Sequence, residues 1–356
     1  MTHIEQRKAK RKAEKVLMWY DSHRRHLPWR SDPGVQANPY HVWLSEIMLQ
    51  QTTVATVKSY FKFFIETWPE IESLASAPLD SVLHAWQGLG YYARARNLHK
   101  CAHVIVSKYD GCFPASEKDL LALPGIGPYT AAAITAIAFG RKATPVDGNI
   151  ERVMARLSAV LEPLPKSKPK LCDLARAMTP EARAGDYAQA LMDIGATICM
   201  PKKPACSRCP LSGECEAETK GITKDLPARA PKKKKPTRKG TAFWLCNSKG
   251  EVLLRRRPEK GLLGGMIEVP SSSWMENTSP LAQIISEAPA DIVWQNLPGK
   301  VRHTFSHFHL ELVIVSGHCK KAKSIEGIWC GLGDFGDHAL PIIMKKVVAH
   351  ALKHQA

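Results

Sequence analysis

A chain of 356 residues has room for two or three domains and an ample core. Hydrophobic residues make up 44 %, which excludes a disordered chain, and the basic, apolar-poor first fifteen residues argue against a secretory leader. Of the net charge of +17, +11 falls in residues 1–15 and 224–240, which points to a polyanionic partner. Both basic stretches read as flexible segments that follow such a partner or simply solubilise the chain. The longest nearly apolar run, Ala131 to Phe139, is too short to span a bilayer. The expectation is a soluble, monomeric, cytoplasmic protein, nucleoid-associated in a bacterium.

Residues 1–223 read as helices. Asn38 can cap a helix that opens with Pro39 and runs through Gln50. Further helices are predicted over 53–66, 79–86, 92–108, 129–139, 149–160 and 186–198, with Gly111, Gly140 and Pro163 as punctuation. Residues 224–240 form a Pro- and Lys-rich linker, kept extended by proline and like-charge repulsion. After it, Thr241–Cys246, Glu251–Arg256, Met266–Val269 and Glu311–Ser316 read as strands, and Leu340–Lys353 as an amphipathic closing helix. The fold class is therefore multi-domain: an all-α domain followed by an α+β domain.

Four cysteines, Cys199, Cys206, Cys209 and Cys215, follow the spacing C-x6-C-x2-C-x5-C. Four thiolates from one compact loop suit a 4Fe–4S cluster. Structural zinc usually draws on two C-x2-C knuckles, and here there is one. Disulfides are disfavoured in a chain that reads as cytosolic with its other six cysteines scattered.

Leu123-Pro124-Gly125-Ile126-Gly127-Pro128-Tyr129-Thr130 lies between two helices. Gly125 and Gly127 permit a tight turn, and Pro128 starts the second helix. Exposed amides there can hold one phosphate of DNA without reading sequence, the helix-hairpin-helix pattern. Asp147 precedes a helix start and reads as an N-cap, whose amides would keep its carboxylate ionised. Glu46 has Val42, Trp43, Leu49 and Gln50 as helical neighbours. A carboxyl in such company can hold a proton near neutrality, although an ordinary rim glutamate fits the pattern too. Two carboxylates pushed in opposite directions would make an acid and a cation stabiliser.

Together with Leu27-Pro28-Trp29-Arg30, Trp43 to Thr52 and Gly88 to Asn97, these motifs span about 190 residues in order, and the chain resembles the adenine DNA glycosylases of the MutY family, in the endonuclease III-like helix-hairpin-helix superfamily. The resemblance implies a helical glycosylase domain with a 4Fe–4S loop over 1–223, the linker 224–240, and a MutT-like (Nudix-fold) 8-oxoguanine recognition domain over 241–356. The substrate would be double-stranded DNA with adenine mispaired with 8-oxoguanine or guanine, the base flipped into a pocket. Glu46 would protonate adenine N7, Asp147 would stabilise the oxocarbenium-like sugar, and Tyr129 would position both. Superfamily members that also cleave the strand carry a lysine where Tyr129 stands, so a monofunctional enzyme is expected. Thymine glycosylases with a tyrosine there are the nearest rival.

By the same resemblance, Gln51 and Tyr91 would wedge into the base stack. Tyr92 is an alternative wedge, and core packing an alternative role for Tyr91. Arg25, Leu27, Trp29, Gln189 and Asp193 would line the adenine pocket. Lys202, Lys203 and Arg208 in the cysteine loop would meet phosphates. In the second domain no R-E-x-x-E-E string occurs between residues 257 and 300, so no pyrophosphatase activity is expected. Phe305, Ser306 and His307 would probe 8-oxoguanine, with phenylalanine either intercalating or packing. His303, His307 and His309 could instead form a metal site or plain surface. Ile267 and Val269 stand where the family commonly has larger aromatic residues. The rival from another class is a non-catalytic DNA-binding or redox-sensing iron–sulfur protein, which the pairing of Glu46 with Asp147 argues against.

Overall fold

The computed structural model describes residues 3–231, 234–277, 281–320 and 322–354; Lys232 and Lys233 of the expected linker lie outside the described residues. The chain divides into two compact units, Met1–Ser76 with Asn97–Lys232 and Ala77–Arg96 with Lys233–Ala356. Along the chain run α1 (His3–His23), α2 (Pro39–Leu49), α3 (Val54–Thr67), α4 (Ile71–Ser76), α5 (Leu79–Ala85), α6 (Ala93–Tyr109), α7 (Glu117–Leu121) and α8 (Pro128–Ile137). They are followed by α9 (Gly148–Leu157), α10 (Lys168–Met178), α11 (Ala184–Thr197) and α12 (Glu216–Thr219). No helix among the described residues is long and apolar enough to cross a membrane.

The basic N-terminus is helical from His3, not flexible. Ala13, Val16 and Tyr20 recur at three- and four-residue steps and are all buried, so an apolar stripe docks the helix while its cations face outward. Arg11 and Lys15 pair with Glu214 at 3.4 and 2.5 Å, which fastens the same helix to the cysteine loop. Helix α2 starts as expected: Asn38 Oδ1 accepts from Tyr40 N at 2.8 Å and Pro39 opens the first turn.

The hairpin between α7 and α8 treats its two glycines differently. Gly125 has φ +77°, and a Cβ there would come within 2.7 Å of Asn97 Cβ. Gly127 is extended at φ −97°, ψ 178°, and a Cβ there would meet nothing within 4 Å. Gly125 therefore makes the turn. Gly127 leaves the uncapped start of α8 open to close approach.

The second unit is built on β1 (Thr237–Asn247), β2 (Val252–Arg256), β3 (Ile267–Glu268), β4 (Gln295–Asn296), β5 (Val301–Thr304), β6 (His309–Cys319) and β7 (Ile328–Cys330), with α13 (Leu281–Ser286) and α14 (Ile342–His354). The order is β3-β2-β1-β6-β4, with β5 also on β6 and β7 also on β2. β1 and β6 are parallel from Thr237↔His309 to Asn247↔Cys319, and the other pairs are antiparallel. Residues 237–240, expected in the linker, belong to β1, because His309–Leu312 offers them a parallel ladder. Ile343, Met344, Val347, Val348 and Ala351 close the core from α14.

The observed units also depart from the expected division at residue 223. Residues 77–96 belong with the second unit: Arg256 clamps Asp80 with two bonds of 2.8 and 2.7 Å, and Gln87 Nε2 donates to His338 O at 3.0 Å.

Gly125→Ala should cost about 1–3 kcal/mol of stability, because it combines a left-handed backbone with a clash. Gly127→Ala should leave the urea midpoint unchanged. Equal midpoints for the two variants would refute this account of the hairpin.

Candidate active site

A cavity of about 570 Å³ opens in the first unit. Its wall takes Glu46 from α2, Tyr129 from the first turn of α8, and Asp147 from the entry to α9. Three elements distant in sequence thus bring the three expected catalytic side chains to one space.

Glu46 is buried, and burial pushes its carboxyl from the ordinary 4.5 up to about 7. A hydrogen bond from Tyr129 works against that rise, the charge of Asp147 adds to it, and Arg30 reduces it. Burial drives the Tyr129 phenol well above 10, with the two carboxylates adding to the shift, so it stays a neutral donor.

Asp147 caps α9 as expected. Its Oδ1 accepts from Asn149 N (3.0 Å) and Ile150 N (2.8 Å), and its Oδ2 from Asn149 Nδ2 (2.8 Å). The expectation of opposite shifts for the two carboxyls is corrected here. Burial raises the Asp147 carboxyl too, and the Ile150 and Asn149 bonds and the Arg152 charge only moderate the rise. What separates the pair is the number of donors each receives. The sequence reading missed Asn149 and Arg152, which tie Asp147 to the rest of the unit. Arg152 donates to Asn149 Oδ1 (2.8 Å), Gly195 O (2.7 Å) and Cys199 O (2.7 Å).

Of the expected pocket residues, Arg25, Leu27, Trp29 and Gln189 line the cavity, and Asp193 does not. Asp193 is fully buried and bonded by Arg25 Nε at 2.6 Å and by both Arg30 terminal nitrogens at 2.7 and 2.8 Å. Burial alone would raise its carboxyl; the bonds and charges of Arg30 and Arg25 outweigh that and hold it below the usual range. Asp193 is therefore the anchor for two wall arginines. Arg30, Ser45, Gln50 and Lys168 are wall residues with no separate signal in the sequence. Lys168 is paired with Glu151 at 3.0 Å. Gln51 sits on the wall at φ +59°, a left-handed backbone that costs a non-glycine residue about 1 kcal/mol or more.

The four motif cysteines lie within electrostatic reach of one another, and Cys199, Cys209 and Cys215 pack on the core of α1, α9, α10 and α11. None of the four is in a disulfide. Arg156, also missed, is buried beneath them: it donates to Cys199 Sγ (3.3 Å), Met200 O (2.9 Å), Pro201 O (3.0 Å) and Leu226 O (2.9 Å). Soft donors facing a buried guanidinium suit an anionic metal–thiolate group. Among the described residues no three His, Cys, Asp or Glu side chains close on a single ion. His303, His307 and His309 do not form such a group either. Lys202, Lys203 and Arg208 are exposed on the cysteine loop.

In the second unit, Tyr91 is 48 % exposed at φ +49°, whereas Tyr92 is buried. Only Tyr91 is therefore available as a wedge. Its hydroxyl bonds with that of Ser306. Phe305 to Phe308 form the turn between β5 and β6, closed by Phe305 N to Phe308 O at 2.9 Å. Ser306 and His307 are exposed, while Phe305 is half-buried against the core. The packing of Phe305 is one of its two expected roles.

A group with a raised folded pKa binds its proton more tightly when folded. Glu46 thus leaves stability intact below about 4.5 and lowers it as pH climbs to about 7, by about 3 kcal/mol in all. Glu46→Gln should therefore raise stability at pH 8 by up to that amount and change little at pH 4.5. A destabilised variant at pH 8 would contradict the burial argument. Asp193→Asn, which leaves two arginines short of their counter-charge, should cost about 3 kcal/mol in urea unfolding; a loss below 1 kcal/mol would place the cluster in solvent.

Residues 44–176 match the model of the HhH-GPD superfamily of base excision DNA repair proteins, and residues 241–350 that of the NUDIX domain. An adenine DNA glycosylase of Homo sapiens is 32 % identical over 93 % of this chain and 72 % of its own length. That of Buchnera aphidicola subsp. Baizongia pistaciae is 32 % identical over 95 % of this chain and 96 % of its own. A solved thermostable thymine-DNA glycosylase is 32 % identical with a TM-score of 0.53, covering 60 % of this chain and 98 % of that one. The similarity to curated relatives runs through both domains, and the chain belongs to the adenine DNA glycosylase family, with a helix-hairpin-helix glycosylase domain followed by a Nudix-type domain.

Proposed function

We propose that this DNA glycosylase hydrolyses adenine paired with 8-oxoguanine or guanine, leaves an abasic site, and cuts no strand by itself. The observation that carries the chemistry is the Glu46 carboxyl, buried in the cavity wall and pushed up to about 7 beside Tyr129 and Asp147. Glu46 gives its proton to N7 of the flipped adenine. The C1′–N9 bond breaks with its electron pair leaving on the base, and the sugar passes through an oxocarbenium-like state. Asp147, held by three hydrogen bonds, faces that cation or bonds to it transiently. Water then adds its oxygen to C1′ and gives its proton to the Glu46 carboxylate, which restores the acid. General acid catalysis of this kind contributes about 10²–10⁴-fold.

Two features favour a glycosylase without lyase activity. The position that would carry a Schiff-base lysine holds Tyr129, whose phenol stays protonated. The lysine on the cavity wall, Lys168, is engaged by Glu151 in an ion pair of 3.0 Å.

Cys199, Cys206, Cys209 and Cys215 would hold a 4Fe–4S cluster. Four thiols from one compact loop, with Cys209 in electrostatic reach of the other three, suit such a cluster, and the single C-x2-C step is not the paired-knuckle pattern of structural zinc. When bound, the cluster supplies four iron–thiolate bonds to a loop with little regular structure. The chain's own part is Arg156, which fixes that loop from below, and Lys202, Lys203 and Arg208, which meet phosphates. Gly125, Gly127 and the start of α8 grip one phosphate more. Gln51 and Tyr91 fill the stack around the displaced base, and Ser306 with His307 reads N7–H and O8 of 8-oxoguanine. The protein works as a monomer.

A single-turnover assay on a duplex with adenine opposite 8-oxoguanine tests the reading. The strand should break only after alkali, the rate should fall as pH rises through about 7, and Glu46→Gln should retain DNA binding with the rate down at least about 10²-fold. Breakage without alkali would remove the monofunctional assignment, and an active Glu46→Gln the acid. Affinity should fall with salt at a log–log slope of about −0.9 per phosphate neutralised; a flat response would remove the basic contacts.

A further inference from the structure

The turn at Phe305–Phe308 does not stand alone. Phe305 and Phe308 stack at 4.8 Å with a 28° interplanar angle. Trp274 packs against Phe305 as well, with centroids 6.0 Å apart at 31°. Each end of this three-ring series carries a guanidinium: Arg257 lies 5.0 Å from the Trp274 centroid, and Arg238 lies 4.5 Å from that of Phe308. Arg257 is itself held by the carboxylate of Glu268, which is 1 % exposed. Gly240 makes the room: a Cβ there would fall 2.7 Å from Trp274 Cδ1.

The geometry points to Arg238, Trp274 and Arg257 as positioning residues that set the Phe305-Ser306-His307 turn for 8-oxoguanine, an inference that rests on the reading of that turn given above. A four-residue turn with two exposed polar tips has little of its own to fix it. Aromatic faces attract cations and offset rings, so a stack closed by an arginine at each end resists sliding in either direction. Sliding of Phe305 would carry the hydroxyl of Ser306 with it, since the two are adjacent in one turn. Arg257 is anchored through buried Glu268, and Arg238 stands near the start of β1, opposite Leu310. Trp274 contributes its ring and not its N–H, which is buried without an acceptor among the described residues. None of these side chains belongs to the cavity where the base is cleaved, so they act on which opposite base is chosen and not on the bond-breaking step.

The test compares duplexes carrying adenine opposite 8-oxoguanine and opposite guanine, measuring dissociation constants and single-turnover rates at saturating protein. Arg238→Gln and Trp274→Leu should shrink the affinity preference for 8-oxoguanine by about threefold or more. Arg238→Lys and Trp274→Phe, which keep a cation and a ring, should preserve it, and the saturated rate opposite guanine should not change in any of the four. Arg238→Gln keeps the test decisive should Trp274→Leu fail to fold. Ser306→Ala separates the two levels of the argument. If Ser306→Ala loses the preference while Arg238→Gln and Trp274→Leu keep it, the stack is merely structural and the inference is wrong. If Ser306→Ala keeps the preference, the reading of the turn fails and the inference falls with it. Loss of the preference in Arg238→Lys as well would also overturn the cation–ring account.

Discussion

A carboxyl group cut off from water is the constraint on which the first unit depends. Desolvation makes the Glu46 anion costly, so the group holds its proton toward neutrality, as the proposed role of acid requires and as an exposed glutamate would not. Everything nearby has to tolerate this. Tyr129 supplies a donor that never ionises, and Asp147, also raised by burial, is held closer to its ordinary range by the donors at the start of α9. The division of labour between the two carboxyls comes from how many N–H groups each one meets. The same burial lowers stability as pH climbs from about 4.5 to about 7, a cost that Glu46 imposes and the surrounding packing offsets.

That packing depends on paired charges. Asp193 binds Arg25 and Arg30 from behind the cavity wall, and the arginines in turn present cationic surface to the space where a base would lie. Arg152 and Arg156 do the equivalent work on the other side, bonding carbonyls of the cysteine loop and, through Asn149, steadying Asp147. Buried guanidinium groups that donate four hydrogen bonds each, as Arg152 and Arg156 do, are expensive to assemble but hard to displace, which suits a site that must hold its geometry against the unstacking of a duplex.

What could be read from the sequence was local. Asn38 and Asp147 as caps and the glycine hairpin depend on neighbours a few residues away, and the structure places both caps where they were expected, while the first strand starts at Thr237 and not at Thr241. Pairings across the chain were not legible. Asp193 looked like a pocket residue, because its partners Arg25 and Arg30 lie more than 160 positions away. The helical state of the N-terminus was hidden by its charge, since only Ala13, Val16 and Tyr20 reveal the buried stripe. Residues 77–96 gave no sign of joining the second unit, because Asp80 and Gln87 find their partners at Arg256 and His338. The upward shift of Asp147 was equally invisible, since burial is a property of the assembled fold. The aromatic series under Phe305 draws on β1, the loop after β3 and the β5–β6 turn, and no periodicity connects these.

The central claim is that Glu46 carries a proton at neutral pH in the free protein. The most direct measurement is a carbon-13 NMR titration of the glutamate side-chain carboxyls, with Glu46 assigned by the signal lost in Glu46→Gln. One resonance titrating at about 7, absent from the variant, is what this account predicts. A Glu46 resonance titrating at its ordinary 4.5 would mean that water reaches the carboxyl, and the acid would have to be sought elsewhere in the cavity.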